Sequence, residues 1–205
     1  MDISAIKSSI AEACRQESRS HSLRRFFQSH LPDLQARLCL PGDNPVDALV
    51  DFARRYIDAV PEFLSDIAAR CTGPDTSRFL NIAEDFFLAP PEMIEEEEGL
   101  KALLDEAFLV QRLVEELNDR QRVRGEPPLL RLDVTRANII VHHLLGDPLA
   151  AQLEALVGQC LEWMNDHSGR FVEFAPGTPP PDYRWPEVPC MSLGSRIDLR
   201  LTGAG

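Results

Sequence analysis

Apolar residues return every three or four positions through most of the first 168 residues, and prolines or glycines close each run. That period places them along one stripe of an α-helix, whereas a strand would need strict alternation. Ile3, Ile6, Ile10, Ala13 and Cys14 make a first short helix. Leu23, Phe26, Phe27, His30 or Leu31, Leu34 and Leu38 make a second, bent at Pro32 and stopped by Leu40-Pro41-Gly42. In Asp43-Asn44-Pro45-Val46-Asp47 a capping residue, a proline suited to the first helical position and a first-turn acid occur together, a strong helix start. The stripe from Val46 to Val60 continues beyond a kink or cap at Pro61 through Leu64 and Ile67 to Cys71.

A turn at Thr72-Gly73-Pro74 leads to a helix carrying Phe79, Ala83, Phe86 and Phe87, which Pro90 and Pro91 terminate. The next helix, from Leu100 to Leu117, has a stripe wide enough to be central. The polar stretch from Asn118 to Glu126 separates it from a helix of about Asp133 to Leu145 that Gly146 stops. Asp147-Pro148 starts the last helix. Beyond Gly169 the period shifts to alternation around Phe171–Phe174 and Arg196–Leu201, with a proline-rich stretch between, so two short strands are expected to pair there. An isolated hairpin is marginal in water, so it should lie against the helices. The expectation is a mainly α fold: a single-domain bundle of seven or eight helices over residues 1–168, with a proline-rich section at 169–205, irregular or a β-hairpin, packed on it.

Charge narrows the function. Twenty-one basic and 33 acidic residues give a net charge of -12, which disfavours nucleic acid and anionic lipid as partners. The charge is also polarised: the first forty residues sum to +2 and the rest to -14. Arg24 and Arg25 could touch nucleic acid, but pairing of this basic part with the acidic body or another copy is more economical. Only Lys7 and Lys101 are lysines, and a GC-rich genome explains the arginine excess as readily as bidentate pairing does. No apolar run is long enough to span a bilayer, and the first residues lack a signal-peptide layout. The five cysteines read as reduced thiols of a cytoplasmic protein.

Candidate sites are sparse. Glu84, Asp85, Glu92, Glu95, Glu96, Glu97 and Glu98 fall within 15 residues that contain no basic residue. Such density can grip a basic partner, while glutamates just ahead of a helix are also favoured by its dipole. His142 and His143 are adjacent, so on a helix they point about 100° apart and do not share one metal. A carboxylate-and-histidine metal enzyme would use Glu84, Glu115, Asp133 and His142 or His143, although the Glu-x-x-His spacing of di-iron bundles is missing. Cys160 and His167 lie two turns apart on one helix, too far for direct contact. Ser195 lacks the flanking glycines of a nucleophile elbow, and no phosphate-binding glycine loop is present.

The stretch Phe86-Phe87-Leu88-Ala89-Pro90-Pro91-Glu92-Met93-Ile94, followed by Gly99-Leu100-Lys101-Ala102-Leu103-Leu104-Asp105-Glu106-Ala107, resembles the YkvA-like bacterial domain of unknown function. The resemblance covers residues 79–117 and implies a helix-turn-helix packing unit, from a family without settled chemistry.

These readings converge on a non-catalytic bacterial protein that needs no cofactor and recognises another, basic protein. In its specific form it is an inhibitor or immunity-type module whose acidic docking surface comprises Asp85, Glu92 and Glu95 to Glu98. The alternative is the metal-dependent bundle enzyme.

Overall fold

The structure, a computed structural model, describes residues 1–72, 74–90, 99–125, 128–130, 132–166, 173–174 and 197–200. Seven helices form among them: α1 (Ile3–Ser20), α2 (Ser22–Arg37), α3 (Pro45–Arg70), α4 (Pro74–Leu88), α5 (Leu100–Arg124), α6 (Thr135–Leu145) and α7 (Asp147–Asp166). Four two-residue strands accompany them: β1 (Leu38–Cys39), β2 (Cys71–Thr72), β3 (Glu173–Phe174) and β4 (Asp198–Leu199). The fold is therefore mainly α, as the periodicity predicts.

Local chemistry explains most of the boundaries. Asp2 accepts the backbone N–H groups of Ser4 and Ala5 and so caps α1. That helix runs to Ser20, further than its apolar stripe, because its last turn is used by the next helix. Glu17, itself buried, accepts the N–H of Leu23 at 3.0 Å and of Arg24 at 3.3 Å, satisfying donors that α2 cannot bond internally. His21 turns the chain between the two helices in the left-handed region, with φ of 50°. Pro45 opens α3, as expected. Neither Pro32 nor Pro61 ends its helix; each lies inside one continuous element. Gly146, at φ of 86°, closes α6.

Helix α5 is the axis. It packs against each of the other six helices, and its side chains are buried without interruption from Leu103 to Gln111. The run is not purely apolar, since it buries Asp105, Glu106 and Gln111 along with its leucines; contact with neighbours on every side puts it inside. Leu104, Phe108, Leu109, Leu113 and Leu117 are inaccessible to solvent, and full burial of such side chains is worth about 1.5–3 kcal/mol each. The facing stripes are Ile6 and Ile10 of α1, Phe27 of α2, Phe52 and Ile57 of α3, and Phe79 and Phe87 of α4, all in one core.

The polar stretch expected to follow the helix after Leu117 is instead its last two turns, to Arg124. Asn118 remains helical because its side chain is used at long range: it accepts the Leu130 N–H at 3.1 Å and donates to the Leu130 carbonyl at 3.0 Å. This pins the α5–α6 connection against the axis.

The C-terminal strands fall in the segments expected to be extended, but they pair with earlier parts of the chain and not with each other. β1 pairs antiparallel with β4, Leu38 opposite Leu199, and β2 with β3, Cys71 opposite Phe174. The reason is that α2 and α3 each leave their last turn in extended backbone, at Leu38 and Cys71, which offers a short open edge. Ile197 joins the core.

Candidate functional site

The buried polar groups are organised around α5. Tyr56 of α3 donates its hydroxyl hydrogen to Asn138 Oδ1 of α6 at 2.6 Å, and Gln111 Nε2 donates to the Tyr56 carbonyl at 2.7 Å. Asn138 Nδ2 in turn donates to Glu115. Arg112 then bonds Glu115, Glu116 at 2.8 Å, and approaches Glu154 of α7 at 3.7 Å. Burial works against the Arg112 charge, but Glu115, Glu116 and Glu154 more than offset it, holding the guanidinium above its ordinary pKa.

From Glu154 the chain of contacts reaches the surface. His142 Nδ1 lies 3.1 Å from Glu154 Oε1, and Nε2 lies 3.5 Å from Asp147 Oδ1. Asp147 also accepts from Arg37 Nη1 of α2 at 2.7 Å. This hydrogen bond keeps the Asp147 carboxyl below its ordinary pKa, so it stays ionised. One connected series of polar groups thus ties α3, α5, α6, α7 and α2 together.

His143 faces a different way, as adjacency on a helix requires: the two rings are T-shaped, at 81° and 5.8 Å between centroids. It lines a half-open cleft of about 540 Å³ between α2 and the α6–α7 corner. Phe26, Leu34, Leu144 and Leu145 contribute apolar wall, and His30, Asp33, Arg37 and Asp147 contribute polar groups. Burial, then the positive charge of Arg37, lowers the His143 pKa, so its imidazole is neutral at pH 7. Three of the five histidines therefore gather at this end of the molecule.

The residues of the expected metal set serve separate structural ends. Glu84 accepts the Asp2 N–H at 2.7 Å, locking the start of α1 to α4. Glu115 is held by Arg112 and Asn138. Asp133 accepts the Thr135 N–H at 2.9 Å at the start of α6. His142 and His143 diverge as described. Among the described residues no three His, Cys, Asp or Glu side chains are arranged to hold a metal. No helix there is long and apolar enough to cross a membrane.

Of the expected docking residues, Asp85 is exposed near the end of α4 and makes no ion pair among the described residues. Glu92, Glu95, Glu96, Glu97 and Glu98 lie outside the described residues. Elsewhere arginines are matched to acids: Arg24 with Asp47, Arg37 with Asp147, Arg70 with Asp66 and Arg136 with Asp198. The first two join the basic N-terminal helices to the acidic body.

Cys14, Cys39, Cys71 and Cys160 are free, and burial raises the Cys71 pKa to about 11 and lifts those of Cys14 and Cys160. Arg112, Asn138 and Glu154 were not singled out by sequence. The Arg112–Glu115–Glu116 spacing was a readable signal, since i+3 and i+4 share a helix face. Tyr56 and Asn138, 82 positions apart, carry none.

No known family, curated protein or solved structure matches the chain.

Proposed function

We propose that the chain is a non-catalytic protein-interaction module, of the inhibitor or immunity type, that docks a basic protein through the end of α4 and the acidic run that follows it. The observation that carries this reading is the position of Asp85. It sits in the last turn of α4, where the helix dipole disfavours a carboxylate and where no basic residue offsets it. Helix stability does not explain an acid there. It is exposed, unpaired among the described residues, and one turn from the exposed Leu88. Glu92 and Glu95 to Glu98 follow it with no basic residue between, while the arginines of the helical body are largely occupied by acids of their own. Charge of this kind steers encounter and sets selectivity for a basic surface.

The test is copurification of the tagged full chain from its native cell at low salt. A stoichiometric basic partner should be recovered, released by salt, and lost from Asp85→Lys combined with lysine at Glu95 to Glu98. Retention of the partner by that variant, or recovery of none by the parent, would overturn the reading.

A further inference from the structure

The lining of the cleft between α2 and the α6–α7 corner does not include Asp85, and its polar groups are unevenly used. Arg37 is the cation among the residues that line it, and its charge is taken by Asp147 at 2.7 Å, with Asp33 also acting on it. Asp33 itself makes no ion pair among the described residues. His30 Nδ1 lies 2.9 Å from the Phe26 carbonyl and 3.0 Å from Ser29 Oγ. His143 is neutral at pH 7 because burial and Arg37 disfavour its charged form. Asp33 is therefore the lining charge left without an ion pair among the described residues, and Asp33, Asp147 and Arg37 together carry a net charge of -1. An anion would have to compete with Asp147 for Arg37 while approaching two carboxylates.

We propose that this cleft binds a small organic cation, a primary ammonium on an apolar stem, with the ammonium at Asp33 and the stem against Phe26 and Leu145. Its volume of about 540 Å³ lies within the range of small-molecule sites. The negative charge of the whole chain raises the local concentration of such a ligand. The site is independent of the docking reading: a protein that captures no partner can still bind an amine.

The probe is benzylamine, with benzyl alcohol and benzoate as isosteres of different charge, titrated into the full chain at pH 7.5 and low ionic strength. Binding is followed by the imidazole Cε1–H NMR signals. Benzylamine should shift the His30 and His143 signals saturably in the millimolar range, and benzoate should not. Asp33→Asn, on an exposed helix face, should keep the thermal midpoint and weaken benzylamine by about fivefold, the worth of one partly exposed charge pair. Asp85→Asn should leave the titration unchanged. Equal binding of benzyl alcohol, indifference to Asp33→Asn, or no saturable shift would overturn the proposal. So would tighter binding of N-acetyl-lysine methylamide than of benzylamine, which would reassign the cleft to a protein side chain.

Discussion

Tyr56 Oη lies 2.6 Å from Asn138 Oδ1, a hydrogen bond between two buried side chains that fixes α6 against α3. Tyr56→Phe keeps the ring and removes the donor, leaving Asn138 Oδ1 buried without one. Urea denaturation should show a loss of about 1–3 kcal/mol. Asn138→Ala should cost more, because it also strips a donor from Glu115.

Arg112 is the cation among three carboxylates, and Glu115 is buried beside it. Arg112→Met should destabilise by about 3–5 kcal/mol, since it leaves an uncompensated charge inside. Adding Glu115→Met should restore much of that loss. A double variant no more stable than Arg112→Met alone would show that the cost arises from packing.

Glu106 is buried on α5, its Oε2 makes no hydrogen bond, and burial with Asp105 alongside raises its pKa from 4.5 to about 8. The folded protein keeps a proton that the unfolded chain releases. The stability this group contributes is complete below pH 4.5 and is lost as the pH rises to about 8. Denaturation midpoints between these limits should fall with pH, and Glu106→Gln should flatten that slope and leave the protein more stable than its parent at pH 8.

Glu17 caps α2 from the last turn of α1. Glu17→Ala removes acceptors from two first-turn donors and should cost about 1–2 kcal/mol by thermal or chemical denaturation. Glu17→Gln, which retains one carbonyl oxygen, should cost less.

What could be read in the sequence was what neighbours along the chain decide. Pro45 opens a helix and Gly146 closes one because proline and glycine act on their own backbone, and His142 and His143 diverge because helix geometry requires it. The polar end of α5 misled for the complementary reason. Asn118 looks like a loop residue until Leu130 supplies both of its hydrogen bonds. In the metal set, the partners of Glu115 and Asp133 are near in sequence, Arg112 and Thr135, whereas Glu84 is bound by Asp2 and His142 by Glu154, partners that position along the chain does not announce. The strand segments were visible as alternation, but their partners at Leu38 and Cys71 depended on where α2 and α3 ran out.

The helix that touches all the others comes fifth along the chain. Until the ribosome has delivered residues up to Arg124, the first four helices can pack only on one another, without the helix that contacts all of them. A nascent chain halted ahead of Leu100 therefore has an incomplete core and is not a smaller version of the protein.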